Sequence, residues 1–110
     1  MINSTQMLKG ILEGCVLMMV KQKPCYSQEI VSELRKSGFS DLTDGTIFPM
    51  LLRLEKEGLF EIEKIPSSNG PSRKYYVLSQ KGQEELEDFQ LVWQDFRNTV
   101  DRIMEGVTYE

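Results

Sequence analysis

Apolar residues recur along the chain at more than one period, and each change of period marks an element. Between Asp44 and Leu59, the residues Ile47, Met50, Leu51 and Leu54 fall at i, i+3, i+4 and i+7, which is one stripe of an α-helix. Thr43 stands at the N-cap position, Asp44 lies in the first turn near the positive end of the helix dipole, and Gly58-Leu59 is a stop signal with an apolar residue behind it. Upstream, a helix is expected from about Met7 to Val20. Leu8, Ile11, Leu12 and Cys15 form its stripe, after an Asn3-Ser4-Thr5 cluster that can cap it. Val16 to Val20 is apolar all round, so that part is expected to be buried on every side, with a second subunit as one way to cover it. Pro24 breaks the chain, Ser27 offers the next cap, and Ile30, Val31 and Leu34 are spaced for a short helix ending at Lys36-Ser37-Gly38. Two short helices and a third element make a helix-turn-helix arrangement.

The period then changes from a helical one to alternation. The run from Leu59 to Ile65 alternates apolar and polar over part of its length, Pro66 to Ser72 is turn chemistry, and Arg73-Lys74-Tyr75-Tyr76-Val77-Leu78 is aromatic and β-branched again. This predicts a β-hairpin with a flexible tip and two cations at the base of its return strand. A hairpin after a helix-turn-helix is a winged helix. Beyond it, Leu86, Phe89, Trp93, Phe96, Val100, Ile103 and Val107 are spaced alternately 3 and 4 apart, the seam of a coiled coil. The expected fold is mainly α with a small β-hairpin wing. It comprises a winged helix-turn-helix domain over residues 1–80 and a C-terminal dimerisation helix over residues 81–110, with Phe89, Trp93, Phe96, Val100 and Ile103 at the dimer seam.

Pro49 falls inside the helix that begins at Asp44. At about 100° per residue, Gly45, Pro49, Leu52, Arg53 and Lys56 lie opposite the buried stripe. Proline there removes one bond, to the carbonyl of Gly45, and crowds that carbonyl. Both effects come early and on the outer side, where water or a ligand can satisfy the freed group. The outer face is small and neutral near its start, basic near its end, and carries an exposed Leu52. That is not an ordinary charged solvent face.

Charge sharpens this picture. The chain of 110 residues is of single-domain length and carries a net charge of −4, which taken whole argues against a nucleic-acid partner. The acid, however, is in the tail. From Met1 to Gly82 there are 11 Lys/Arg against 9 Asp/Glu, and from Gln83 to Glu110 there are 2 against 8. The front part can therefore present a basic face. The absence of histidine excludes His-dependent triads, His-ligated metal sites and His proton shuttles. Cys15 and Cys25 lack metal-ligand or CxxC spacing and read as two reduced thiols. No cluster of Asp, Glu, Lys or Cys is placed as a nucleophile with its base, and no glycine-rich phosphate loop occurs. Neither an enzyme nor a metal or other cofactor is expected. No apolar run approaches the roughly 20 residues that span a bilayer, and MINSTQMLKG has no secretory pattern, so a cytoplasmic protein is expected.

Four stretches read together, LKGILEGCVLMMV, PCYSQEI, DGTIFPMLLRLEKEGL and GPSRKYYVLSQKG, resemble the PadR family of transcriptional regulators, close to its short subfamily. The proline-bearing helix and the RKYY strand carry most of the specificity. The resemblance covers nearly the whole chain and implies a dimeric winged-helix repressor of a palindromic double-stranded operator. It implies that the third helix enters the major groove, the wing lies along the backbone or minor groove, and the last helix dimerises. The family includes regulators of phenolic acid decarboxylases and of multidrug efflux pumps.

Position by position, Thr46, Phe48 and Pro49 match the family's Gly-Thr-Leu-Tyr-Pro stretch, whose threonine and tyrosine face DNA. Phe48 lacks the hydroxyl that the tyrosine offers. Tyr26 matches a family tyrosine at the second helix. Ser27 and Gln28 replace a glycine and a tyrosine, Ser27 as a better cap and Gln28 as a reach to phosphate. Arg73 and Lys74 match the basic pair of the wing. Lys9, Arg53 and Lys56 add phosphate charge, and Leu52 or Thr46 is placed for a thymine methyl. Trp93 falls where some members hold a flat drug at the dimer interface. It makes a small aromatic effector a further expected partner, with Phe89 and Phe96 beside it, Asp95 and Asp101 as compensating charge, and Met7, Met18, Met19 and Met104 as adaptable apolar lining. The alternative is a winged-helix protein-interaction module without DNA binding, which salt-sensitive duplex binding would exclude.

Overall fold

A computed structural model describes residues 7–106. The chain runs α1 (Leu12–Gln22), α2 (Ser27–Ser37), α3 (Asp44–Lys56), β1 (Phe60–Ser67), β2 (Gly70–Leu78) and α4 (Gln80–Met104). The first helix starts later than the apolar pattern predicts. Met7 and Leu8 are helical, Lys9-Gly10-Ile11 form a turn, and Ile11 becomes the N-cap of α1. Glycine is a poor helix former, and it interrupts the pattern there. The Asn3-Ser4-Thr5 cluster and Val107 lie outside the described residues.

Each helix sends one stripe into a single core. Val16 and Val20 of α1, Ile30 and Val31 of α2, and Ile47, Leu51 and Leu54 of α3 meet there, closed below by Leu59, Phe60 and Tyr76 and on the side by Leu86 of α4. Val16, Leu17 and Val20 are buried, whereas Met18 and Met19 are half-exposed. The run that is apolar all round is thus only partly covered by its own chain. Met50, placed by the period on the stripe of α3, also sits at the margin of the core.

The helix ends follow from glycine placement. After α3, Gly58 takes a positive φ of 83°, and Leu59 N–H reaches back to Leu54 C=O at 3.0 Å, so Leu59 is folded under the helix into the core. Gly38 ends α2 in the same way, with Phe39 N–H on Leu34 C=O at 3.1 Å. The starts are less regular. Thr43 is the N-cap of α3, but its hydroxyl lies 3.4 Å from Thr46 Oγ1 and makes no capping bond. Ser27 is not a cap. Tyr26 occupies that position, and the Ser27 hydroxyl donates to Gln28 Oε1 at 3.1 Å. A side-chain cap forms instead at Ser79, a position that the apolar pattern does not mark. Ser79 Oγ accepts from Gly82 N–H at 3.0 Å and donates to Gly58 C=O at 2.6 Å, which joins the start of α4 to the end of α3.

The hairpin pairs Phe60 with Leu78 and continues to Ser67 with Gly70, with a register shift beside Pro66, which has no N–H to offer a ladder. The turn is therefore the two residues Ser68 and Asn69, shorter than the loop expected from Pro66 to Ser72. Cys25 adds a bridge to this ladder. Its N–H bonds Tyr76 C=O at 3.2 Å, and Tyr76 N–H bonds Cys25 C=O at 2.7 Å. The segment before α2 is thereby fixed to the base of the wing.

The helix α4 begins inside the same core. A Cβ at Gly82 would collide with the Leu59 backbone, and one at Gly14 would land in the Phe89 ring. Glycine at these two positions lets α4 lie against the Gly58-Leu59 turn and α1. Beyond Phe89 the helix leaves the core, and every residue from Gln90 to Met104 is exposed.

Candidate nucleic-acid interface

The outer face of α3 is built as the helical wheel requires. Ile47, Leu51 and Leu54 are buried, while Gly45, Thr46, Pro49, Leu52, Arg53 and Lys56 are exposed. Pro49 sits within the helix, so the outward Gly45 carbonyl lacks its intrahelical donor. Leu52 is 53% exposed, a large apolar side chain offered to solvent in the same groove as Arg53 and Lys56. Phe48 is half-buried and packs against the core, so it is partly withdrawn from the face on which the sequence places it.

Beside α3 stands β2. Alternate residues of a strand point to opposite faces, and this separates the two cations that are neighbours in sequence. Lys74 turns toward α3, where its Nζ donates to Glu55 Oε1 at 2.7 Å and lies 5.2 Å from the centre of the Tyr76 ring. Arg73 turns the other way and lays its guanidinium 4.3 Å over the ring of Tyr26, which also meets Tyr75 edge to face at 5.4 Å. Arg73 and Lys74 are thus not one basic patch. Tyr26 supports the wing through a cation–π contact and an aromatic pair.

A groove of about 510 Å³ runs between α3 and β2, lined by Pro49, Leu52, Arg53, Glu55, Lys56 and Lys74. Two of its cations are held by carboxylates. Arg53 donates to Glu13 Oε2 of α1 at 3.1 Å and to Glu57 Oε1 at 3.2 Å, and Lys74 is held by Glu55. Hydrogen bonds to Glu13 and Glu57 raise the Arg53 pKa, and the bond to Glu55 raises that of Lys74. Among the described residues Lys56 has no ion pair. Lys9, before α1, and Gln28, in the first turn of α2, are both exposed. Of the carboxylates, only Glu57 was legible in sequence, since it lies four residues after Arg53 on one helix. Glu13 is 40 residues from Arg53, and no local pattern announces that pair.

The far half of α4 carries an uncovered apolar stripe. Trp93 is 38%, Phe96 63%, Val100 50% and Ile103 59% exposed. Phe89 belongs to the chain's own packing against Gly14. Trp93 and Phe89 border a second groove of about 360 Å³ between α1, α2 and α4, in which Met18 and Met19 also take part. Phe96 is not among its walls. Met7 lines a different hollow, by the loop after α2, and Met104 stands exposed at the helix end. Because α4 is helical throughout, Asp95 lies about 200° around the axis from Trp93 and does not accompany it as compensating charge. Asp101, about 80° away, lies nearer the stripe.

A sequence model of the transcriptional regulator PadR-like family matches residues 16–88, most of the winged unit and the first third of α4. The chain belongs to this family. Its fold is shared by solved structures. A PadR-like transcriptional regulator from Bacillus cereus is 44% identical with a TM-score of 0.85, over 92% of this chain and 98% of that one. A Streptococcus transcriptional regulator is 43% identical with a TM-score of 0.82, over 90% and 97%. A PadR-like transcription factor from Bacteroides fragilis is 34% identical with a TM-score of 0.74, over 91% and 96%. The PadR-like assignment makes the protein a transcriptional regulator, and its winged helix-turn-helix is the part that family membership ties to DNA. No helix among the described residues is long and apolar enough to cross a membrane.

Proposed function

We propose that this PadR-like regulator is a cytoplasmic, homodimeric repressor that reads duplex DNA with the outer face of α3 and is released by a flat aromatic ligand. The observation that carries the DNA reading is that face itself. It has a proline and a glycine that let backbone approach closely, an exposed Leu52, and Arg53, Lys56 and Lys74 around one groove. In this reading Thr46, Pro49 and Leu52 face base edges in the major groove. Lys9, Gln28, Arg53 and Lys56 meet phosphates. The wing reaches the flanking backbone with Arg73, braced on Tyr26, and with Lys74. Phosphate contacts set register and affinity, and base edges set sequence.

The uncovered stripe of α4 supports the dimer. Trp93, Phe96, Val100 and Ile103 share one face of a helix that the other described residues leave bare, and a second copy of the same helix is the complementary surface that a two-fold axis supplies. Two reading helices would then address half-sites about one turn of DNA apart. The apolar groove beside Trp93 supports a ligand role. A planar molecule stacked on the indole would change how α4 sits on α1, and with it the spacing of the two reading helices. The deciding experiment is binding to duplex DNA across a salt series. Affinity should fall steeply and linearly in log–log form, and footprinting should protect two half-sites. A dimer that binds no duplex at low salt would instead be an interaction module.

A further inference from the structure

We propose that Glu55, with Glu13 and Glu57, sets the DNA affinity of this protein by occupying the cations that phosphates must reach. The inference rests on the DNA reading above and adds a role for three carboxylates. Lys74 Nζ is 2.7 Å from Glu55 Oε1. Arg53 is bridged to Glu13 on one side, at 3.1 Å, and to Glu57 on the other, at 3.2 Å. These pairs line or adjoin the groove between α3 and β2, and all five side chains are partly exposed, so a phosphate oxygen entering the groove can compete with each carboxylate.

The competition has a thermodynamic signature. A free lysine that neutralises a phosphate releases the counterion condensed on DNA, and log K then falls with log salt by about 0.9 for each such contact. A lysine already held by a carboxylate behaves differently. When the phosphate displaces Glu55, the freed carboxylate gathers a cation from solution, and this uptake offsets the release from the DNA. The contact then adds little to affinity and little to the salt slope. Wild-type protein is therefore a weaker and less salt-sensitive binder than its cations alone would make it. The restraint acts alike on every sequence, because it concerns phosphates rather than bases. The raised pKa values of Lys74 and Arg53 are consistent with cations stabilised by these partners.

The test uses full-length protein and anisotropy of two labelled duplexes of unrelated sequence over a salt series. Replacing Glu55→Gln should raise affinity for both duplexes by about 1.4- to fivefold at low salt, the range of one surface ion pair, and steepen the slope by just under one. Adding Lys74→Gln to that variant should remove both gains. The double variant E13Q/E57Q should act likewise through Arg53. Circular dichroism checks that each variant is folded. Unchanged or weaker binding by E55Q would overturn the proposal and make Glu55 a support that positions Lys74. A gain confined to one duplex would also overturn it, since Glu55 would then face a base. If wild-type protein binds neither duplex, the DNA reading itself fails and this inference falls with it.

Discussion

Replacing Phe96 with Asp should dissociate the protein without unfolding it. In the single chain Phe96 is 63% exposed and lies beyond Phe89, the last residue of α4 that packs on its own core, so the substitution costs the protomer almost nothing. Surface changes of this kind usually stay within about 0.5 kcal/mol. In a dimer closed along α4 the same side chain is buried, and the two-fold axis counts it twice. Fully burying a phenylalanine is worth about 1.5–3 kcal/mol, and roughly two-thirds of that remains to be gained from the exposure seen here. Two copies then forfeit about 2–4 kcal/mol of burial, before any charge of the new carboxylates is counted. At 1.4 kcal/mol per tenfold, the dimer should weaken by at least about 30- to 700-fold. Sedimentation equilibrium over a concentration series measures this directly, while circular dichroism and urea unfolding report the protomer. A variant that dimerises with unchanged affinity would refute the seam. A variant that no longer folds would show that α4 covers Phe96 within its own chain, against the exposure on which the reasoning rests.

Arg73→Ala should weaken binding to all duplexes alike and flatten the salt slope by about one unit. Lys74→Ala should flatten it by distinctly less, because Glu55 already holds that cation at 2.7 Å; equal effects in a salt titration would contradict the split of the pair across the strand. Trp93 is the only tryptophan, so planar aromatic compounds that release DNA should quench its fluorescence saturably. Trp93→Leu, which keeps an apolar side chain in the seam, should abolish release by those compounds, and release of DNA from the wild type with no fluorescence response would place the sensor elsewhere. Burial first, then the Glu29 carboxylate, pushes the Cys25 thiol up to about 11 from 9.0. Its neutral form is the one the fold prefers, so its contribution to stability is full below pH 9 and is lost as pH rises toward 11. Urea unfolding at stepped pH should show that alkaline loss, and Cys25→Ser should reduce it. Alkylation of Cys25 in the native protein near neutral pH should be slow.

Local structure was largely legible because it depends on neighbours a few residues apart. The spacing of Ile47, Leu51 and Leu54 dictates the buried face of α3 whatever it packs against, and the outer position of Pro49 follows from the same wheel. Gly38 and Gly58 announce the ends of α2 and α3, since only glycine takes those positive φ values without cost. The bare stripe of α4 was equally visible, as a heptad longer than its own domain can cover. Capping was less legible. Thr43, Ser27 and Ser79 all have hydroxyls able to cap, and only Ser79 does so, because Gly58 is brought beside it to share the bond.

Tertiary structure decided the charges. A sequence shows Arg53 and Lys74 as cations, and a family resemblance turns them toward DNA, but their partners come from other elements. Glu13 approaches Arg53 only because the shared core brings α1 beside α3, and Glu55 meets Lys74 only because the hairpin folds back along that helix. The strand's alternation sends Arg73 to the opposite face, where the bridge between Cys25 and Tyr76 has already fixed the segment carrying Tyr26. Periodicity along one chain specifies which face of an element is buried. It is silent about which side chains of two distant elements share a surface, since that depends on the angles and register at which the elements dock. Whether a cation on the reading face is free or already paired is therefore a property of the folded molecule.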